Sequence, residues 1–112
     1  MKILHNPRCG KSRDTLKLIQ RQGIEPEIVL YLKETPSKEE LKTILGKLGV
    51  DVEAIIRKGE AVFKENYKGK SFTEEEWLTI LVHNPKLIER PIVINGDKAI
   101  IGRPPENVID LF

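Results

Sequence analysis

Pro91-Ile92-Val93-Ile94-Asn95-Gly96-Asp97-Lys98-Ala99-Ile100-Ile101 reads as two strands and the turn that joins them. The flanking runs are rich in strand formers, and Asn95-Gly96 readily supplies the positive φ angles of a tight hairpin turn. Working outward, Lys2 to His5 is a short, mostly apolar strand ended by the breaker pair Asn6-Pro7. Beyond the loop around Cys9, Leu16, Leu18 and Ile19 recur near helical spacing from Ser12 onward, and Gly23 stands where that helix stops. Glu27 to Leu32, preceded by Pro26, predicts a second strand, so the chain opens as a βαβ unit.

Between these two regions the signals are helical. Ser37 with Glu40 forms a capping-box pattern, followed by an apolar stripe of Leu41, Ile44, Leu45 and Leu48 that ends near Gly49. A short helical piece from Val52 to Arg57 follows. The polar stretch Lys58 to Ser71, with Gly59 and Gly69, predicts mostly loop. Thr73 and Glu76 form a second capping box, with Trp77, Ile80 and Leu81 on the inner face, and Asn84-Pro85 breaks the chain again. After the hairpin, Pro104 to Phe112 carries Val108, Ile109 and Leu111 and predicts a closing helix. The result is an α/β chain with a helical insertion after its second strand.

With 112 residues, 39% of them hydrophobic, the expectation is one domain spanning 1–112. A formal charge of +2 from 19 Lys and Arg against 17 Asp and Glu argues against a general nucleic-acid or membrane binder. The N-terminus has no apolar run of signal-peptide length, and a cytoplasmic monomer is expected. A single cysteine excludes an internal disulfide and a site built mainly of thiolates; no metal or bound cofactor is expected. Redox work by Cys9 would need a resolving thiol from another molecule.

In His5-Asn6-Pro7-Arg8-Cys9-Gly10-Lys11-Ser12-Arg13, the cysteine lies between a strand and the first turn of a helix. There, unpaired backbone N–H groups and the helix dipole favour thiolate over thiol. Arg8, Lys11 and Arg13 would add to this if turned inward. Gly10 lets the backbone approach a ligand closely, and helix N-terminal amides, the Ser12 hydroxyl and Arg13 can all donate to a tetrahedral oxyanion. The alternative is an inert buried cysteine. A phosphate-binding P-loop is rejected, because the glycine it needs five residues before Gly10 is His5. His5 is read equally as a structural histidine or one that tunes the thiol, and His83 as structural. Arg90 and Arg103 each directly precede a proline, which fixes chain direction as an oxyanion clamp requires.

The run His5-Asn6-Pro7-x-Cys9-Gly10-x-Ser12-Arg13-x-Thr15-Leu16 resembles the active-site signature of glutaredoxin-linked arsenate reductases and arsenate-reductase-like proteins. Ile55-Ile56-Arg57-Lys58, Glu89-Arg90-Pro91-Ile92-Val93 and Gly102-Arg103-Pro104 agree with it in order and spacing. The resemblance implies a thioredoxin-like fold with four strands in the order 2-1-3-4 and a cis Pro91 facing the cysteine. It also implies Cys9 as nucleophile, Arg57, Arg90 and Arg103 on the oxyanion, and His5 lowering the thiol pKa, with Asn6-Pro7 and Ser12-Arg13 shaping the loop. Arsenate would be the substrate, glutathione the co-substrate and glutaredoxin the protein partner. An RNA-polymerase-binding redox regulator of the same fold family is the competing reading, as is a glutathione-dependent thiol enzyme with another substrate. The regulators usually carry Cys-x-x-Cys, whereas the second position here is Ser12.

Overall fold

A computed structural model describes all residues, 1–112. The elements run β1 (Lys2–Leu4), α1 (Gly10–Arg21), β2 (Glu27–Val29), α2 (Lys38–Leu48), α3 (Ala61–Asn66), α4 (Glu74–His83), β3 (Ile92–Asn95) and β4 (Lys98–Ile101). Three 3-10 helices, Val52–Ile55, Pro85–Leu87 and Pro105–Leu111, complete the order. The chain divides into two compact units, Met1–Glu34 with Arg90–Phe112, and Thr35–Glu89. No helix is long and apolar enough to cross a membrane.

The first unit holds the sheet, in the order β2-β1-β3-β4. β1 runs parallel to β2 and antiparallel to β3, and β3 to β4 is the antiparallel hairpin, with Gly96 at φ 63° in its turn. Ile3, Ile19, Val93, Val108 and Leu111 form the core of this unit, where α1 and the C-terminal 3-10 helix pack together. Both predicted N-terminal strands are shorter than expected. His5 leaves β1, although its N–H still bonds the Val29 carbonyl at 2.9 Å. β2 ends at Val29 because the Leu30 carbonyl accepts from the N–H groups of Lys33 and Glu34, at 2.9 and 2.8 Å, and turns the chain.

The closing helix is a 3-10 helix and not the ordinary helix the proline signal suggested. Its buried residues are Pro105, Val108 and Leu111, three apart, which is the spacing at which side chains eclipse in a 3-10 helix, while Ile109 is exposed.

In the second unit both capping boxes form as expected, at Ser37/Glu40 and Thr73/Glu76. Lys58 to Ser71 is not mainly loop, since it contains α3. Phe63 and Tyr67 stand one helical turn apart there, and both rings meet Trp77, Phe63 stacked at 6.0 Å and Tyr67 edge-on at 6.1 Å. Phe72 closes the cluster against Trp77 at 4.7 Å. That burial stabilises a short helix its polar neighbours do not advertise. An antiparallel bridge between Ile56 and Ile88 ties the segment after the first 3-10 helix to the end of the unit.

Candidate active site

Cys9 is the N-cap of α1, in extended backbone conformation with its side chain partly exposed. The helix begins two residues earlier than the apolar pattern suggested, which places the sulfur directly over its first turn. Burial pushes the thiol pKa up, but the Ser12 N–H, the Arg90 guanidinium, the Lys11 N–H and the Arg103 guanidinium outweigh it and bring the thiol below its ordinary value. Neither amide makes a full capping hydrogen bond to the sulfur; their effect is that of oriented dipoles. Arg103 Nη1 stands 4.0 Å from Cys9 Sγ and donates to the Arg90 carbonyl at 3.3 Å.

The loop is held by its own polar groups. Ser12 is fully buried; its Oγ lies 2.7 Å from His5 Nδ1 and accepts the Asn6 N–H at 3.0 Å. The Asn6 carboxamide oxygen accepts the Arg8 N–H at 3.0 Å, and the Cys9 N–H bonds the Asn6 carbonyl at 3.0 Å. Burial first, then the nearby Arg13 charge, holds His5 below the usual histidine range, so its ring is neutral near pH 7. A neutral ring lends the thiol no charge, and its direct partner is Ser12.

The cations nearest in sequence are not those that act on the sulfur. Arg13 turns back to donate from Nη1 to the Pro7 carbonyl at 2.9 Å, which braces the loop. The charges that reach Cys9 come from Arg90 and Arg103. Both Arg90-Pro91 and Arg103-Pro104 are cis; the first was expected and the second was not. Arg57 belongs to the second unit, where it pairs with Glu60 at 2.7 Å and donates to the Lys86 carbonyl at 3.3 Å. His83 Nδ1 lies 2.8 Å from the Thr79 carbonyl within α4.

Sequence reading placed Gly102 in the segment Gly102-Arg103-Pro104 but gave it no role of its own. A Cβ there would lie 2.6 Å from Thr15 Oγ1 and 2.7 Å from Pro91 Cγ, so only glycine lets the end of β4 pass between α1 and the cis proline. Its N–H bonds the Pro91 carbonyl at 2.9 Å, and Arg103 follows directly. Thr15, fully buried, completes the junction by donating to the Lys11 carbonyl at 2.8 Å.

A partly exposed thiol with lowered pKa, beside two guanidinium groups and a helix N-terminus, can attack an electrophile and hold an anion. No cluster of three or more His, Cys, Asp or Glu side chains is placed to hold a metal ion. Comparison with known proteins matches residues 4–111 to the ArsC family. The chain belongs to that family. Among ArsC relatives, the arsenate reductase of Haemophilus influenzae is 46% identical over 98% of this chain and 97% of its own. The Escherichia coli K12 protein called uncharacterized protein YfgD is also 46% identical, over 99% of this chain and 95% of its own. The structure described as an arsenate reductase from Vibrio cholerae superposes with a TM-score of 0.96 at 43% identity, covering 99% of this chain and 96% of that one. The sheet order and flanking helices are thus those of the thioredoxin-like ArsC fold.

Proposed function

We propose that this ArsC-family protein is an oxidoreductase that reduces arsenate to arsenite through a covalent adduct on Cys9, with glutathione and glutaredoxin supplying the electrons. The carrying observation is Cys9 at the α1 N-terminus, its thiol pKa lowered by two backbone amides and by Arg90 and Arg103.

The Cys9 thiolate attacks arsenic(V), forming a sulfur–arsenic bond as one oxygen leaves, protonated, as water. The Lys11 and Ser12 amides, Arg90 and Arg103 stabilise the negative oxygens. A glutathione thiolate then attacks arsenic in the adduct, forming a second sulfur–arsenic bond as another oxygen leaves, protonated, as water, and a glutaredoxin thiolate attacks the glutathione sulfur. Glutathione and glutaredoxin leave joined as a disulfide, and the electron pair passes to arsenic. Water releases arsenite and returns Cys9. In sum, arsenic acid and two thiols give arsenious acid, one disulfide and one water. With one cysteine in the chain, the second and third sulfurs come from other molecules. Such donors place the protein in a reducing compartment, the cytoplasm.

The test is arsenite formation by the purified protein supplied with glutathione and glutaredoxin, beside Cys9→Ser. Turnover by the parent and none by the variant is expected. Equal rates would remove Cys9 from the mechanism, and no turnover by either would remove arsenate as substrate.

A further inference from the structure

Thr15 holds a hydroxyl where packing alone asks for none. The residue is fully buried on α1, and its Oγ1 and Cγ2 lie 2.6 and 3.1 Å from where a Cβ on Gly102 would stand. Valine has nearly the same shape and would bury no polar group there. The hydroxyl donates to the Lys11 carbonyl at 2.8 Å, with the Gly102 carbonyl further off at 3.5 Å. Thr43 and Thr79 make the same bond, to the Glu39 and Glu75 carbonyls at 3.0 and 3.1 Å, but in exposed settings where it is an ordinary local contact. Thr15 differs in what lies on the other side of the peptide it grips.

Cys9 is the N-cap of α1 and Gly10 its first residue, so Lys11 and Ser12 are the second and third. The side chain of an N-cap residue sits over the N–H groups of those two positions. The Lys11 carbonyl and the Ser12 N–H belong to one planar peptide group, so the Thr15 hydroxyl bonds the far end of the group whose N–H is directed at the sulfur. Donation to the carbonyl polarises the peptide and strengthens its N–H as a donor, as in any chain of hydrogen bonds. We propose that Thr15 is a positioning residue for the reaction at Cys9, its hydroxyl aiming and strengthening the Ser12 N–H toward the sulfur through the Lys11–Ser12 peptide. This rests on the reading of Cys9 as the nucleophile given above. Against the upward push of burial, the Ser12 N–H is the first of the groups that lower the Cys9 thiol, ahead of Arg90, the Lys11 N–H and Arg103. His5 meets Ser12 at its hydroxyl, and Arg13 is held by the Pro7 carbonyl, so neither competes for that N–H.

Thr15→Val removes the hydroxyl and keeps the shape, whereas Thr15→Ser keeps the hydroxyl. The pH at which iodoacetamide alkylates Cys9 half-maximally is expected to rise in Thr15→Val by about half a pH unit, the order of one weakened link in a hydrogen-bond chain. Thr15→Ser should stay at the parent's value. In 15N-labelled protein the Ser12 amide proton should move upfield in Thr15→Val, as that of a weaker donor does, and hold its place in Thr15→Ser. Thr15→Ala beside Thr15→Ser repeats the comparison without the γ-methyl, and decides the matter if the valine variant does not fold. Displacement of Arg103 would also raise the alkylation pH, so the same substitutions are made in Arg103→Ala. A shift carried by the peptide adds to that of Arg103→Ala, and one carried by the guanidinium vanishes there. The proposal is overturned by an unchanged alkylation pH without the hydroxyl, by an equal rise in Thr15→Ser, or by loss of the effect in Arg103→Ala. Neither readout needs arsenate. Were the parent protein to form no arsenite, the proposed reaction would fall, and alkylation would still decide the role of Thr15.

Discussion

The sulfur of Cys9 owes its acidity to groups brought from two distant stretches of sequence. Arg90 and Arg103 act on it through space, whereas the adjacent Arg13 is committed to the Pro7 carbonyl. Arg103→Ala is therefore expected to raise the pH at which iodoacetamide alkylates Cys9 half-maximally, and to lower kcat for arsenate by about 100-fold, the usual effect of removing one oxyanion donor. Arg13→Ala should leave that alkylation pH closer to the parent's, because its effect on the sulfur is indirect. His5 makes a separate prediction. Its folded-state pKa lies below the unfolded one, so below the ordinary histidine value of about 6.5 the unfolded chain binds more protons and stability falls. Stability is present above that pH and is lost as pH drops toward the folded pKa. Urea unfolding between pH 7 and 5 should show this slope in the parent and a flatter one in His5→Gln, which also loses about 1 kcal/mol with the Ser12 contact. Reading the loop alone identified Cys9 and its helix terminus, because both are local features. It did not show that Ser12 is buried against His5, nor that Arg13 is engaged by the Pro7 carbonyl, since those depend on how the loop closes.

At the scale of elements, the end of β4 is fixed to α1 through Gly102, and the tightness of that junction sets where Arg103 stands. Gly102→Ala puts a methyl group 2.6 Å from Thr15 Oγ1 and 2.7 Å from Pro91 Cγ. Overpacking of this kind costs roughly 1–3 kcal/mol. The urea midpoint is expected to fall by that amount, with arsenate turnover falling further because the neighbouring guanidinium moves. A drop in stability with full activity would show that Arg103 is placed by other contacts. Thr73→Ala should cost about 1 kcal/mol through the lost cap of α4 and leave turnover at saturating substrate unchanged. The caps, the Asn95-Gly96 hairpin and the βαβ opening were legible because each is written in contiguous residues. α3 was not, because its stability comes from Phe63 and Tyr67 meeting Trp77, ten or more residues away. The C-terminal 3-10 helix carried its signal openly in the three-residue spacing of Pro105, Val108 and Leu111. The neighbouring Ile109 masked it by suggesting a broader apolar face.

At the scale of the whole chain, the sheet-bearing unit is assembled from both ends of the sequence. β1 pairs with β3 only when the segment Thr35–Glu89 has returned the chain to its starting point. Closing a flexible loop of that length costs about 3–4 kcal/mol of entropy. A folded insertion has already restricted its own ends and lowers that cost. Each unit is shorter than 60 residues, the size at which an isolated core is marginal. We propose that the chain unfolds in one cooperative transition, as a single domain does, since each unit alone would be marginal. Trp77 fluorescence reports the inserted unit, and the rate at which Cys9 is alkylated near neutral pH, which falls as the folded-state acidity of its thiol is lost, reports the other. Their urea midpoints should coincide. Leu81→Ala, a cavity at a fully buried position of the inserted unit, should cost about 2–5 kcal/mol. That loss is expected in full from the Cys9 probe as well as from Trp77. If Cys9 kept the parent's midpoint while Trp77 lost its own, the sheet unit would be folding without help from the insertion, and the single-domain reading would fail.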